Sequence, residues 1–285
     1  MSKSTHFVVH PLLGQLLSLI DQVDVHRISK KHGGEHYVKH FDAWHHLVTM
    51  LYAIIMRFDS LREIQLSMTA ESRKLSHLGL TKIPKRSTLS DANVRRSEVI
   101  FGELYATLYD KHKGVLSSDS RNRGSTPSWL RKLKIMDSTT ISLFSNLVFK
   151  GVGRNPKRGK KKLISLLTND FEMPQQDIID IYRKRWMIET LFKQLKQNFP
   201  LRYFYGESAN AIKIQVWCTL IANLLLMLIK RSVRRSWSFS GLATMIRILM
   251  MYYVNYKSIL EYPEKDWDLM IEEVIRPPNH PSLFD

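Results

Sequence analysis

The sequence predicts a mainly α-helical fold that is interrupted, between residues 129 and 200, by a partial α/β core. Apolar residues recur at helical spacing on both sides of that interval, as Trp44, Val48 and Leu51 illustrate. Inside it, the stretch from Leu133 to Leu143 alternates apolar and polar residues and is rich in β-branched side chains. This pattern is typical of a strand, so the segment should carry one element of a small sheet.

Composition limits the class of protein and its partners. The 285 residues include 43 Lys and Arg against 26 Asp and Glu, a net charge of +17 that indicates a polyanionic partner. A hydrophobic fraction of 44% excludes a disordered basic tail. The lone cysteine, Cys218, permits no internal disulfide, which favours a cytoplasmic location, and its apolar neighbours predict a core thiol.

No segment indicates export or membrane insertion. The first residues lack the apolar core of a signal peptide. The longest apolar run, Val216 to Ile229, is interrupted by Thr219 and Asn223 and is shorter than a membrane span requires. We therefore expect a buried helix in a soluble protein with no membrane partner.

Residues 1–80 are predicted to form a helical N-terminal domain. Apolar positions from Leu12 to Ile20 and from Trp44 to Ile55 indicate two amphipathic helices, separated by a break at Gly33 and Gly34. Ser60 followed by Glu63 matches a capping box and predicts the start of a third helix. The same break argues against a metal site at the regularly spaced His32, His36 and His40.

Residues 81–128 are predicted to contain a basic helix and a linker. A basic turn from Lys82 to Arg86 leads into a helix with Arg95 and Arg96 near its end, an arrangement typical of a DNA-facing helix. A packed helical pair with solvated arginines is the alternative. The stretch from Ser117 to Ser128 is rich in Ser, Gly, Arg and Pro, a composition that is typical of a linker.

A polycationic loop follows the predicted strand. Residues Lys150 to Lys162 contain seven basic side chains and no acidic one, together with three glycines and a proline. Lys and Arg in such a loop are suited to phosphate contacts, although a merely solvated loop is the alternative. The candidate DNA-binding residues in this loop are Arg154, Lys157, Arg158, Lys160, Lys161 and Lys162.

A later helix carries a polar stripe. Tyr182, Arg185, Glu189, Lys193 and Lys196 fall within an arc of about 80° at helical spacing. One carboxylate among cations and a phenol suits a site that handles phosphodiesters, and a surface stripe of ion pairs is the alternative.

Two further features complete this helix. Trp186 projects beside the stripe, where it could stack on a base. Ile188, Phe192, Leu195 and Phe199 lie on another face and should bury it.

The spacing of Tyr182, Arg185, Glu189 and Lys196 resembles the Y-R-E-K signature of bacterial insertion-sequence transposases of the DDE class. The upstream Asp137-Ser138-Thr139-Thr140 strand and the segment Phe192 to Phe199 strengthen the resemblance, which covers nearly the whole chain.

This resemblance implies a great deal about function. It implies an RNase H-like core, cut-and-paste transposition, and two magnesium ions held by carboxylates, of which Asp137 is the first and Glu189 the third. It further implies that the partner is double-stranded terminal-repeat DNA. The residues implied to contact this DNA are Tyr182, Arg185, Trp186, Lys193 and Lys196. A homodimer on DNA and a location at the nucleoid follow from the same resemblance.

The pattern of the family is incomplete in this chain. About 50 residues separate Asp137 from Glu189, whereas a βαβ crossover alone takes about 30. The Asp-Arg-Gly-Tyr-like stretch that carries the second carboxylate of the family is missing, so the resemblance implies an internal deletion in the middle of the core.

We therefore expect a transposase by descent with impaired strand cleavage, and a non-catalytic DNA-binding relic is the alternative. Residues 129–200 form the partial catalytic core in this reading, and residues 201–285 form a C-terminal helical region with an acidic tail.

Overall fold

The computed structural model of the protein describes residues 10–116 and 188–264, of which 68% are helical. The prediction of a mainly α-helical fold is therefore confirmed for these residues, which contain no strand. The predicted strand from Leu133 to Leu143 lies outside the described residues, and so does the linker from Ser117 to Ser128. The partial RNase H-like core consequently stays a prediction.

Residues 10–116 contain seven helices. They are α1 (Leu12–Leu17), α2 (Gln22–Lys31), α3 (Ala43–Met56), α4 (Leu61–Ala70), α5 (Ser72–Ser76), α6 (Arg86–Arg95) and α7 (Val99–Leu116). In the second described range, residues 188–198 are helical (α8). The helices after them are α9 (Ala209–Ser232), α10 (Phe239–Leu249) and α11 (Tyr256–Glu261).

Side-chain caps set where several helices begin. Ser60 Oγ accepts the backbone N–H of Glu63, as the predicted capping box requires, and so caps the start of α4. The Glu63 carboxylate accepts the N–H of Asp59, one residue before the N-cap, instead of that of Ser60. Asp21 caps α2 by accepting the N–H of Val23. Helix α2, which was not predicted as a separate element, ends at Lys31. The helix break predicted at Gly33 and Gly34 directly follows it.

The 24-residue helix α9 lies at the centre of the fold and packs mainly against α7 and α3. This helix is long and apolar enough to span a membrane, but 67% of its most apolar 18-residue stretch is buried within the protein. Its apolar side chains therefore have partners in the fold, as expected for a core helix. Cys218, which is fully buried in α9, confirms the prediction of a core thiol, and burial raises the pKa of that thiol.

A single hydrophobic cluster joins the two ends of the described chain. It runs from Leu12 in α1 to Leu260 in α11 and includes Leu195 and Phe199 beside α8. Backbone bonds also link the ends, since the N–H groups of Leu12 and Leu13 donate to carbonyls of the segment after α10. All four predicted parts of the chain contribute to this cluster, and their boundaries stay predictions.

Candidate nucleic-acid interface

The described part of the polar stripe lies on α8. Glu189 is half-buried there, and Lys193 and Lys196 are exposed at positions one and two helical turns further on. The remaining predicted contacts lie outside the described residues: Asp137, Arg154, Lys157, Arg158, Lys160, Lys161, Lys162, Tyr182, Arg185 and Trp186. The structure thus places three members of the stripe on one helix and leaves the others as predictions.

The opposite face of α8 is fixed to the core, as its apolar pattern predicts. Leu195 and Phe199 are 5% and 2% exposed, and the Phe199 ring meets Phe239 edge-on at 6.3 Å. The Gln194 side chain donates to Asn223 Oδ1 of α9 at 2.6 Å. This contact was not foreseen, because an amide pair between distant helices leaves no local sequence pattern.

An arginine on α10 holds the end of α8 from another direction. Arg247 Nε donates to the carbonyl of Ile55 at 2.8 Å, and its Nη2 donates to that of Asn198 at 3.3 Å. Burial lowers the pKa of this guanidinium, and the neighbouring Arg57 lowers it further. Glu189 is therefore carried on a helix whose C-terminal half is bound to α9 and, through Arg247, to α10.

The described residues do not by themselves form a divalent-cation site around Glu189. Within residues 10–116 and 188–264, no group of three or more His, Cys, Asp or Glu side chains has the proximity that a metal needs. The stripe around Glu189 offers ammonium groups rather than oxygen ligands. A metal on Glu189 would need further ligands from outside the described ranges, where the predicted partner Asp137 lies.

Helix α6 is the predicted DNA-facing helix, and its two arginines have different environments. Arg95 is exposed, as expected. The prediction that Arg96 belongs to the same exposed pair is wrong, because Arg96 is only 4% exposed. The helix ends at Arg95, so the extended backbone of its C-cap, Arg96, turns that side chain inward.

Arg96 ties α6 to the loop between α2 and α3. Its Nε donates to the carbonyl of Gly34 at 3.2 Å and its Nη2 to that of Phe41 at 2.8 Å. A Cβ on Gly34 would come within 2.5 Å of Ser29 Oγ and of Ile100 Cδ1, so both side chains would have to move to admit a larger residue. Gly34 therefore has a packing role in the loop after α2.

A groove lies between that loop and α6. We call it the α6 groove; its volume is about 760 Å³, and it is bordered by residues 33, 34 and 36–41, by the turn 82–85 and by one face of α6. Five cationic side chains line this groove, but only one carboxylate does, that of Asp91. The cations are Lys39, Lys82, Lys85, Arg95 and Arg96.

Helix α9 fixes the junction between α6 and α7 through Asn210. Its Nδ2 donates to the carbonyls of Asn93 and Arg96, both at 2.8 Å, and its Oδ1 accepts the N–H of Glu98 at 3.1 Å. Trp217 Nε1 also donates to Glu98 Oε2 at 2.8 Å. The end of α6 is therefore positioned by residues more than 100 positions away in sequence.

Comparison with known proteins matches one part of the chain to a family. Residues 8–81 match a family described as a domain of unknown function, DUF4372. These residues include α1 to α5 and the loop that borders the α6 groove. No solved structure matches the chain.

Three curated relatives carry the name transposase. The protein y4zB of Sinorhizobium fredii is 35% identical over 105 residues, which are 34% of this chain. A transposase of insertion sequence element IS4SA from Synechocystis is 43% identical over 54 residues, or 19% of the chain. One of element IS5377 from Geobacillus stearothermophilus is 33% identical over 63 residues, or 22%.

The matched stretches are short relative to these proteins. They cover 28%, 16% and 17% of the lengths of the three relatives, in the same order. The chain thus spans less than a third of each curated relative that it matches.

Proposed function

We propose that the chain is an insertion-sequence transposase by descent, which binds the terminal-repeat DNA of a mobile element. The observation that carries this proposal is the similarity to three proteins that are named as transposases, two of them for insertion sequence elements. The net charge of +17 supports a nucleic-acid partner. Cut-and-paste transposition, a homodimer on DNA and a place at the nucleoid belong to the same proposal.

The residues proposed to act on DNA are those of the Y-R-E-K stripe and of the strand that precedes it. Asp137 and Glu189 are the proposed catalytic carboxylates and the proposed ligands of magnesium. The exposed Lys193 and Lys196 would contact the phosphate backbone, since each ammonium can neutralise one phosphate. The anchoring of α8 supports this role, because a helix fixed on one face can present the other face in a defined orientation.

A non-catalytic binder is the second candidate, and a sequence observation favours it. The interval between Asp137 and Glu189 contains no Asp-Arg-Gly-Tyr-like stretch, so the second of the three metal-binding carboxylates has no counterpart there unless Asp170 or another acid takes its place. A two-metal site with too few carboxylates holds its ions weakly, and we therefore propose that strand cleavage is impaired. Such a chain would still occupy the element ends and compete with an intact enzyme.

Incubation with labelled duplex DNA separates the two candidates. The probes are the terminal repeats of the element that encodes the chain and a shuffled duplex of equal length, each with magnesium or with a chelator. We expect a shifted band on the repeats and nicking at the background level. Equal binding to the shuffled duplex would refute recognition of the element ends.

A matched pair of variants reports on catalysis. Glu189→Ala removes the proposed metal ligand. Glu207→Ala removes an exposed carboxylate outside α8 and changes the net charge by the same amount. If the wild type cleaves strongly with magnesium, and Glu189→Ala alone abolishes that cleavage, the chain is an active enzyme and the proposed impairment is wrong. Unchanged gel shifts in both variants are expected, because neither carboxylate attracts phosphate.

A further inference from the structure

The rim of the α6 groove carries positive charge that the fold does not neutralise. Lys39, Lys82, Lys85 and Arg95 are exposed along it. Within residues 10–116 and 188–264, none of these four forms an ion pair with a carboxylate, whereas cations elsewhere on the surface do, such as Lys31 with Glu103. The groove therefore offers several cations to an external anion.

A buried guanidinium adds charge from within the fold. Arg96 lines the groove, and its Nη1 has no hydrogen-bond partner, although its Nε and Nη2 bind carbonyl oxygens. Burial lowers the pKa of Arg96, while the nearby carboxylates of Glu35 and Asp42 raise it in part. The hydrogen bonds of this buried cation all go to neutral carbonyls, so Glu35 and Asp42 offset the cost of its burial only in part, and an anion in the adjacent groove would offset more of it.

The loop across the groove from α6 presents an aromatic side chain to solvent. Tyr37 is fully exposed and has a backbone φ of 58°. This left-handed conformation is strained for an aromatic residue, and no burial of the ring compensates for it. An exposed ring held beside a cationic groove suits stacking on a nucleobase.

Two contacts hold the sides of the groove together. Arg96 binds the carbonyls at both ends of the loop segment from Gly34 to Phe41. Lys82 Nζ lies 3.3 Å from His40 Nε2 and so links the turn to the loop. The cations and the ring are thus carried on segments that are joined to one another.

We propose that the α6 groove binds a short single-stranded segment of DNA, with its phosphates on the cationic rim and a base on Tyr37. The choice of DNA rests on the function proposed above. Single-stranded rather than duplex DNA is favoured by size, because a volume of about 760 Å³ matches pockets that enclose ligands of about one or two nucleotides. Cations that track a backbone and a ring that stacks are the two elements of single-strand recognition.

Two triple variants with equal change in charge test the cationic rim. The groove variant combines Lys82→Ala, Lys85→Ala and Arg95→Ala. The control combines Lys30→Ala, Arg73→Ala and Lys111→Ala, which are exposed cations that do not line the groove. Circular dichroism and thermal unfolding establish that both full-length variants are folded.

Binding is measured by fluorescence anisotropy against salt. The probes are a labelled single-stranded oligonucleotide of about 10 nucleotides, a length in the range of single-stranded sites, and a duplex of the same sequence. Each lost phosphate contact reduces the steepness of the plot of log K against log salt by about 0.7 for single strands. Loss of three contacts should therefore reduce the slope of the groove variant by about 2 in magnitude, whereas the slope of the control should hardly change. Equal losses in the two variants would overturn the proposal, as would a larger loss on the duplex than on the single strand.

Substitutions at Tyr37 test the stacking contact. Tyr37→Gly relieves the left-handed backbone and removes the ring, so it should remain folded and weaken single-strand binding by about tenfold. Tyr37→Phe keeps the ring and should bind like the wild type. If Tyr37→Gly binds as tightly as the wild type, the ring takes no part in recognition and the proposed contact is wrong.

The outcomes for the groove and for the transposase are distinguishable. A wild type that recognises no element ends, while its single-strand binding depends on the groove, refutes the proposed function and leaves a nucleic-acid groove in place. If the wild type recognises the element ends, but the groove variant binds single strands as tightly as the wild type does, the groove proposal alone is refuted.

Discussion

The buried His46 predicts a specific loss of stability in acid. This side chain is 0% exposed and lies between Phe41 and Phe101, with ring centroids 5.7 and 5.3 Å away. Its Nε2 donates to Asn93 Oδ1 at 2.8 Å, and Nδ1 has no partner in the described part of the chain. Burial lowers the pKa of His46 to about 3, and the charge of Arg96 contributes to the shift.

The size of the effect follows from linkage. In the unfolded chain His46 binds a proton below its ordinary pKa of about 6.5, whereas the folded protein resists protonation until about pH 3. The unfolded state therefore binds more protons between these values, and the free energy of unfolding falls as the pH falls through that window. At pH 4.5, two units below the ordinary pKa, the loss from this one group is about 3 kcal/mol.

Urea unfolding at two pH values isolates this contribution. His46→Gln keeps an N–H donor for Asn93 but cannot titrate. Followed by circular dichroism at pH 7.5 and at pH 4.5, the wild type should lose about 3 kcal/mol more than His46→Gln, because all other groups titrate in both proteins. Equal losses in the two proteins would refute the reasoning that His46 is neutral in the fold.

Substitutions at three further positions have expected outcomes that thermal or urea unfolding can check. Asn210→Ala leaves the carbonyls of Asn93 and Arg96 without their donor and should destabilise the protein by about 1–3 kcal/mol, whereas a negligible change would show that water replaces it. Ser60→Ala removes the cap of α4 and should cost about 1 kcal/mol, and Ser60→Asp should restore most of it. The hydrogen bond from His45 to Asp42 raises the pKa of His45, so its stabilisation is complete below pH 6.5 and is lost as the pH rises through the raised value. The wild type should therefore lose more stability than His45→Gln between pH 6 and pH 9, and identical profiles would contradict that sign.

Local patterns in the sequence predicted much of the helical fold. The periodicity around Trp44 identified α3, and the capping box at Ser60 located the start of α4, because both depend on residues within a turn or two. Helix α2 was missed as a separate element, because the predicted apolar stretches end at Ile20 and resume at Trp44, and only the Asp21 cap marks its start. The apolar face of α8 was also predicted, as Leu195 and Phe199 are buried.

The candidate site was predictable only where its residues are close in sequence. Glu189, Lys193 and Lys196 share a helix, so their spacing placed them on one stripe. The sequence did not distinguish the exposed Arg95 from the buried Arg96, because no local pattern indicates which of two adjacent arginines turns inward. The stripe beyond α8 and the polycationic loop stay predictions.

By itself, the sequence determined the helical class, the excess of positive charge and the cap at Ser60, because each depends on composition or on contacts within one turn. Only the tertiary structure decided that Arg96 is buried and that a cationic groove exists. Those features come from contacts such as Arg96 with Gly34, 62 residues away, and Asn210 with Arg96, 114 residues away. Contacts at such separations leave no periodic signal, and they form only when the whole core brings the segments together.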